Sequence, residues 1–530
     1  MKMYTLPYLY LISLLFFSCS KDKNIYQTLH TQLDEFTIKD IHSGYDNNHF
    51  TVKEIVNEYI NRVKKIDQSG PTLNSIIIIN PDALAIADSL DKIHKLGKAK
   101  GPLFGIPILL KDNINTHDKM PTTAGSRVLK NSFPLKDSWV SKKLRESGAI
   151  ILGKTNLSEW ANYRASFSSS GWSGIGGQTK NPYVLDRNPC GSSSGSAVAV
   201  SANLCAIAIG TETWGSIMCP SNANGIVGIK PTVGLWSRSG IVPISYTQDT
   251  AGPMARTVTD AATVLGIMTG VDSNDKKTKK SKNNHHNNYT EFLNTNGLKG
   301  KKIGYVKTVE GKNHRVDLLM RQAIKDIIEG GAEVIEIDSI FQRKDNEKSP
   351  EDYSLEVMAY EFKNGLKKYF ADLGPKSPAK NLKSVIAQTL LDSVEMLYFN
   401  LERLENSESK GDLNSKTYKE SLQKMKKATR EMGIDRVMEE HNLDAFISPT
   451  GSPAWKTDLV NGDKYYMSTT VFAALSGYPN INVPMGFIDN VPIGISFYGK
   501  EWSEPELIEI AYSYEQKTMH REKPKFMISD

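Results

Sequence analysis

Hydrophobic and polar residues follow two patterns along this 530-residue chain. In the stretch 51–66, TVKEIVNEYINRVKKI, apolar side chains return every three or four positions, which predicts an amphipathic helix. Thr51 and Glu54 have the spacing of a capping box at its start. Short and almost wholly apolar runs, such as 75–80 (SIIIIN) and 105–110 (GIPILL), predict buried strands instead.

The two patterns alternate from there to the C-terminus. Further strands are predicted at 149–154, 205–210, 301–306, 333–338, 444–450 and 491–499, and further helices at 81–93, 196–203, 317–331 and 505–518. This alternation predicts an α/β fold, in which helices cover both faces of a central sheet. The stretch from about 350 to 440 is rich in Lys, Glu and Leu, and predicts a mostly helical lobe inserted before the last strands.

The N-terminus predicts export. A lysine at position 2 precedes an apolar run that is too short to span a bilayer and fits the core of a signal peptide. Residues 1–18 resemble a bacterial lipoprotein signal, cleaved so that Cys19 becomes the lipidated N-terminal residue, with 19–45 as a tether. Phe16 stands where such signals usually have Leu. Simple secretion and an uncleaved anchor are the alternatives.

Composition and charge narrow the possible partners. The chain is 39% hydrophobic and 23% charged, as in an ordinary folded protein, and its net charge is only +6. Five lysines lie together in 276–282, within a Lys/Asn-rich stretch of about 272–290 that predicts a solvated loop rather than a nucleic-acid surface. His285 and His286 belong to this polar stretch and do not indicate a metal site. CxxC, HExxH and Walker motifs are absent from the sequence, so we expect neither a metal nor another cofactor.

The four cysteines are sparse. If Cys19 is lipidated, three remain, which excludes a complete disulfide framework. Cys190 and Cys219 each flank a serine-rich loop, and the sequence leaves open whether they approach each other. We expect both to be small buried side chains rather than nucleophiles, because neither lies in a turn like that of Ser216.

Three residues with reactive side chains lie near the carboxyl ends of the predicted strands. Lys111 directly follows the strand GIPILL, and Ser216 lies in the turn after the strand CAIAIG. Ser192 lies in PCGSSSGS, just before a predicted helix. Catalytic groups gather at the carboxyl ends of the strands in α/β sheets. Each residue taken alone fits a solvated loop or a flexible linker equally well.

Taken together, these segments resemble a known family. The run 189–232, from PCGSSSGS through GTETWGSI to GIVGIKPT, is similar to the amidase signature, and 102–114 (PLFGIPILLKDNI) is similar to the segment with that family's catalytic lysine. On these residues the chain is identified as a member of the amidase signature family, over about residue 50 to the C-terminus, with 46–530 as its domain. Within the family it most resembles bacterial peptide amidases. The resemblance implies a central mixed β-sheet, covered by helices on both faces.

The resemblance implies a Ser–cis-Ser–Lys triad. Ser216 stands at the position of the nucleophile, Ser192 at that of the bridging serine with a cis peptide bond, and Lys111 at that of the lysine. A serine hydroxyl needs a base to take its proton, and a lysine can act as that base only when it is neutral. Burial behind GIPILL could lower its pKa enough. Attack on an amide would then give an acyl-Ser216 enzyme and release ammonia or an amine.

The resemblance assigns the oxyanion donors to backbone N–H groups of Thr213, Trp214, Gly215 and Ser216. The family commonly has Gly or Asp where this chain has Trp214. Its backbone N–H is unaffected by that change, so we expect the Trp214 ring to line the acyl pocket, with packing into the scaffold as the alternative. Trp172 and Gln178 are further candidates for substrate binding, and the segment GSPAWKTDLVNGD (451–463) is expected to cover the site.

The sequence therefore predicts a hydrolase of carboxylic amides, acting on small molecules or on C-terminal peptide amides. Two alternatives stay open: the A-type subunit of a tRNA-dependent amidotransferase, and a catalytically silent surface lipoprotein that binds peptides. The export signal argues against the first, because charged tRNA is cytosolic. We expect a membrane-anchored bacterial lipoprotein, facing the periplasm or the cell surface and held to the membrane only by its N-terminal lipid. No nucleic-acid partner is expected, and the oligomeric state is left open.

Overall fold

The computed structural model describes residues 33–342 and 347–529. The predicted signal peptide, Cys19 and residues 20–32 of the predicted tether lie outside this range. The described strands are β1 Ile76–Ile79, β2 Pro107–Lys111, β3 Ile150–Thr155, β4 Trp172–Ser173, β5 Gly177–Gln178, β6 Ile207–Glu212, β7 Val227–Lys230, β8 Thr250–Ala255, β9 Lys302–Val306, β10 Glu333–Ile337, β11 Ala445–Pro449, β12 Asn480–Ile488 and β13 Val491–Tyr498. Every predicted strand is present.

One large mixed sheet organises the molecule. Its 11 strands follow the order β1-β3-β2-β6-β8-β7-β12-β13-β11-β9-β10, and β4 pairs with β5 in a small separate hairpin. The strands β3, β2 and β6 run parallel, and β8 continues the sheet antiparallel to β6. The side chains of β2, β3 and β6 are buried on both faces, which explains why their sequences are continuously apolar. The prediction of an α/β fold with a central mixed sheet is confirmed.

Helices flank this sheet. They are α1 Ile38–Asp46, α2 Val52–Arg62, α3 Ala83–Lys95, α4 Trp139–Glu146, α5 Ser194–Ser201, α6 Met218–Ala223, α7 Val258–Ile267, α8 His314–Glu329, α9 Pro350–Asp372, α10 Leu382–Thr389, α11 Glu402–Glu408, α12 Lys416–Thr429, α13 Asp435–His441, α14 Val471–Ser476 and α15 Glu504–Thr518. Helix α2 has the predicted Thr51–Glu54 capping box. None of the helices in the described ranges is both long and apolar enough to cross a membrane.

The stretch between β10 and β11 is helical, from α9 to α13. Phe362, Tyr369 and Phe370 on α9 form an apolar cluster with Trp160, which lies in the loop after β3. This contact attaches the lobe to the part of the sheet that holds the candidate site.

The prediction of a tether over residues 19–45 is wrong for the C-terminal part of that stretch. Residues from Leu33 onward pack against the body, and α1 begins within the predicted tether. Thr37 and Asp40 form a capping box, and Ile41 and Tyr45 are buried on the inner face of this helix. Nine residues with one apolar face bury enough surface to dock on the sheet domain, so the packed domain begins before residue 46.

The predicted solvated loop at 272–290 is also partly wrong. Lys276–Asn283 forms a 3₁₀ helix whose lysines alternate with buried hydroxyl residues. The Thr278 hydroxyl donates to the carbonyls of Asp272 and Asp275 at 3.1 and 2.7 Å, and Ser281 donates to Thr278 at 2.8 Å. These local hydrogen bonds give the stretch order without any apolar periodicity.

Candidate active site

Three segments bring the predicted residues to one edge of the sheet. Lys111 is the last residue of β2, and Ser216 lies in the turn between β6 and α6. Because β2 and β6 are parallel neighbours, their carboxyl ends meet at the same edge. Ser192 lies two residues before α5, directly behind this edge.

Lys111 is fully buried and hydrogen-bonded. Its Nζ donates to Ser192 Oγ at 2.7 Å, to Thr211 Oγ1 at 2.9 Å and to the Thr211 carbonyl at 3.1 Å. Burial lowers the pKa of Lys111 to about 7, and the nearby carboxylates of Glu212 and Asp249 oppose part of this shift. A large fraction of the lysine is therefore neutral near pH 7, as a general base requires.

The loop that holds Ser192 is fixed to the turn that holds Ser216. The Gly191–Ser192 peptide bond is cis, as the family resemblance implied. The backbone N–H of Ser158 donates to the Ser192 carbonyl, and the backbone N–H of Ser193 donates to the Ser216 carbonyl, both at 3.1 Å. The two serine segments therefore lie against each other, with Lys111 on the Ser192 side.

Ser216 lies on the wall of a cavity and is 7% exposed. The Glu212 carboxylate accepts the backbone N–H groups of Ile217 and Met218, at 2.7 and 3.0 Å, and so fixes the turn on its C-terminal side. Gly215 has a φ of +78°, and a Cβ there would lie 2.9 Å from Thr470 Oγ1. Only glycine fits that position without strain.

The proposed oxyanion donors are backbone N–H groups of this turn. Within residues 33–342 and 347–529, no backbone or side-chain acceptor takes the backbone N–H of Trp214, Gly215 or Ser216. All three residues line the cavity, as does Thr213, whose hydroxyl donates to Asp249 at 2.6 Å. The turn thus has N–H groups available for a developing negative charge.

A disulfide joins Cys190 and Cys219, which corrects the expectation that both are simple buried fillers. Cys190 precedes Ser192 by two residues and Cys219 follows Ser216 by three, so the bond connects the two serine segments directly. Both cysteines line the cavity. The local sequence could not reveal the bond, because the approach of the two loops depends on the packing of α5 and α6. Cys205 is buried and unpaired, and burial raises the pKa of its thiol.

The cavity beside Ser216 has a volume of about 420 Å³. Its walls come from the turn after β6, from the loop after β3, from α9 and α11 of the helical lobe, and from the late segment around 455–470. Trp455 and Asp463 belong to the stretch 451–463, which was expected to cover the site and does so. The volume is within the range of small-molecule and short-peptide sites.

The Trp214 side chain both lines the cavity and packs into the scaffold, the two positions considered for it. It is half-buried and lines the cavity. It also packs against the Phe362 cluster of the lobe and against a second apolar cluster that contains Phe472. One face of the ring is therefore supported by the scaffold while another part faces the cavity, which is how an indole of this size fits in the turn.

Trp172 and Gln178, predicted to bind substrate, do not line the cavity. Trp172 is buried with its ring edge-on to Tyr398 and Phe399, at 5.9 and 5.2 Å between centroids. Gln178 donates from Nε2 to the carbonyls of Ser170 and Thr179, at 2.8 and 2.9 Å. Both side chains support the loops behind the cavity, because the β4–β5 hairpin turns them inward.

Several residues at the site were not predicted. Thr211 accepts hydrogen bonds on Oγ1 from both Lys111 and Asn113, the second at 3.0 Å. The sequence could have indicated Thr211, because this residue lies in GTETWGSI, five residues before Ser216. Met358 and Arg403 reach the cavity from the lobe, and no local motif marks them. Their role depends on how the lobe folds onto the sheet.

Comparison with known proteins identifies the family. The family model described as Amidase matches residues 54–508 of this chain. The chain belongs to the amidase family. It is 42% identical over 502 residues to "Probable amidase At4g34880" of Arabidopsis thaliana, covering 93% of this chain and 92% of that protein. It therefore hydrolyses amide bonds.

Two further comparisons bear on the kind of amidase. The solved structure of the native peptide amidase from Stenotrophomonas maltophilia is similar, with a TM-score of 0.88, 41% identity, and 93% of this chain and 99% of that chain covered. The A-type subunit of the glutamyl-tRNA(Gln) amidotransferase of Microcystis aeruginosa is 34% identical over 508 residues, covering 92% of this amidase and 99% of that relative. The peptide amidase is thus the more similar of these two relatives.

Proposed function

We propose that this amidase hydrolyses C-terminal peptide amides through an acyl-Ser216 intermediate and releases ammonia. The observation that supports this most strongly is the buried Lys111, hydrogen-bonded to Ser192, whose loop is fixed to the Ser216 turn on the cavity wall. The similarity to a solved peptide amidase supports the choice of substrate class.

In the proposed reaction, Ser216 Oγ attacks the amide carbonyl while its proton passes to Ser192 Oγ, and the Ser192 proton passes to neutral Lys111. The C–N bond then breaks, and the proton returns through Ser192 to the leaving nitrogen, which departs as ammonia. Water repeats the same steps on the ester and frees the carboxylic acid. Lys111 ends each half-reaction neutral, so the proton count balances.

The backbone N–H groups of 213–216 would stabilise the tetrahedral intermediates. Loss of one such donor typically lowers the rate by about 10²–10³-fold. In this site they are fixed by the Glu212 carboxylate and by the Ser193 bond to the Ser216 carbonyl, so they need little reorganisation during the reaction.

The proposal includes export and lipidation of Cys19. The N-terminal sequence supports both, and the Cys190–Cys219 disulfide supports export alone, because structural disulfides persist mainly in oxidising compartments outside the cytoplasm. Growth of producing cells with an alkyne-tagged palmitate should label the protein, with loss of label in Cys19→Ser and retention in Cys205→Ser. An unlabelled wild-type protein would refute lipidation.

Ammonia release from a panel of amides tests the substrate class: peptide amides, free Gln and Asn, aryl amides and fatty amides. We expect peptide amides to be preferred, and activity on free Gln alone would overturn the proposal. A serine-directed fluorophosphonate should form an adduct at Ser216. Ser216→Ala should abolish this adduct, whereas exposed Ser89→Ala should keep it. No adduct on folded protein would favour a silent peptide-binding lipoprotein.

The amidotransferase subunit is the second candidate, because a relative with that name is 34% identical over almost its full length. It would require a cytosolic protein bound to a tRNA-binding subunit. Fractionation of producing cells followed by affinity purification distinguishes the two: recovery from the cytosol with such a partner supports the amidotransferase, and recovery of an exported protein active alone supports the peptide amidase.

A further inference from the structure

Two charged side chains line the cavity among the residues that the structure describes, and they come from different parts of the chain. Asp463 belongs to the late segment that covers the site, and Arg403 lies on α11 of the helical lobe. The remaining lining residues are neutral and include the apolar Trp214, Ile244 and Met358. The two charges therefore decide which ionic groups a substrate can bring into the cavity.

The carboxylate of Asp463 is already occupied by donors of the protein. It accepts the Ser170 backbone N–H at 3.0 Å and the Ser170 hydroxyl at 2.6 Å. The Trp455 Nε1–H and the Asn188 side-chain amide also donate to it, at 3.2 and 3.4 Å. This carboxylate holds the covering segment against the loop of Ser170, and a cationic substrate group would have to displace one of these donors.

The guanidinium of Arg403 is much less occupied. Its Nε donates to the Ser166 hydroxyl at 3.2 Å, and its Cζ lies 5.7 Å from the centroid of the Tyr163 ring. No carboxylate in 33–342 or 347–529 forms an ion pair with it, and no acceptor there takes a hydrogen bond from its two Nη groups. The adjacent Glu402 instead accepts the backbone N–H of Ser166.

We propose that Arg403 determines specificity by binding a carboxylate in the acyl part of the substrate, so that this amidase prefers acidic peptide amides. The inference rests on the proposed peptide-amidase function. The two free Nη groups present parallel N–H donors that match a carboxylate, and Tyr163 holds the guanidinium in place. Arg403 is half-buried, so the attraction is weakened less than at a fully open surface.

Two matched pairs of blocked dipeptide amides test this. The first pair is N-acetyl-Glu-Phe-amide and N-acetyl-Gln-Phe-amide, and the second is N-acetyl-Phe-Glu-amide and N-acetyl-Phe-Gln-amide. Glu and Gln have nearly the same shape, so the ratio of kcat/KM within a pair reports the charge alone. We expect a ratio of about tenfold in favour of Glu in at least one pair, mainly through KM, and a fall of this ratio with increasing ionic strength.

Arg403→Gln should reduce the ratio to about one, and Arg403→Lys should keep part of it. Arg436→Gln is the matched control, because Arg436 also lies on the lobe but pairs with Glu440. Circular dichroism and the thermal midpoint establish that each variant is folded. A ratio near one in both pairs of the wild-type enzyme overturns the inference, and so does an unchanged ratio in Arg403→Gln.

Two other outcomes are distinguishable. An equal loss on all four substrates in Arg403→Gln means that the guanidinium binds a neutral carbonyl, which also overturns the charge preference. Hydrolysis of other amides but none of the four peptide amides by the wild-type enzyme overturns the proposed function, and this inference with it. Charge-blind hydrolysis of all four leaves the proposed function intact and removes only the role of Arg403.

Discussion

In the proposed mechanism Lys111 is the base, so the pH dependence of amide hydrolysis follows from its burial. With a pKa of about 7, about a tenth of Lys111 is neutral at pH 6 and about nine-tenths at pH 8, so kcat/KM should rise roughly tenfold over this interval and then level off. A lysine with the ordinary pKa of 10.5 would give a rise of roughly a hundredfold, without a plateau. The size of the rise and the presence of a plateau therefore distinguish the two cases.

The assay is ammonia release from an uncharged blocked peptide amide between pH 5 and 9, because such a substrate does not titrate in this range. At substrate concentrations well below KM, the rate reports the ionisation of the free enzyme. Asp249→Asn provides a second perturbation. The Asp249 charge raises the pKa of Lys111, so its removal should move the midpoint to lower pH.

Two results would refute this account. A rate that keeps rising tenfold per pH unit through pH 9 would mean that burial does not lower the pKa of Lys111. A midpoint that moves to higher pH in a folded Asp249→Asn enzyme would mean that the carboxylate does not act on Lys111 through its charge.

Two further predictions concern the walls of the site. Replacing both cysteines of the Cys190–Cys219 disulfide by Ser should lower the free energy of unfolding by about 3.5 kcal/mol, because the unfolded chain then regains the entropy that closure of this loop removes. It should also slow fluorophosphonate labelling of Ser216. Chemical denaturation measures the first effect and the labelling rate the second, and an unchanged labelling rate would show that the bond does not position the serines. Trp214→Asp should change the order of preference among peptide, aryl and fatty amides while a small fluorophosphonate still labels Ser216. If all substrates lose activity equally and the melting temperature falls, Trp214 acts through packing alone.

Much of the fold was accessible from local patterns. The continuous apolar runs of β2, β3 and β6 predicted buried strands, because a strand covered on both faces has no polar side. The places of Lys111 and Ser216 directly after predicted strands, with Ser192 at a helix start, also predicted that these residues meet, since parallel strands end at a common edge. Where the local pattern was polar, as at 276–283, the prediction failed, because hydrogen bonds rather than apolar periodicity order that segment.

The sequence by itself determined the candidate catalytic groups of this amidase: a lysine at the end of a buried strand, and serines in the glycine-rich turns beside it. Only the tertiary structure decided what surrounds them. The Cys190–Cys219 bond, the position of Arg403 on the cavity wall and the inward turn of Trp172 all depend on contacts between segments far apart in the chain. Catalytic groups are set by short stretches with their own turn geometry, whereas the cavity that selects a substrate is formed where the lobe and the late segment pack onto the sheet.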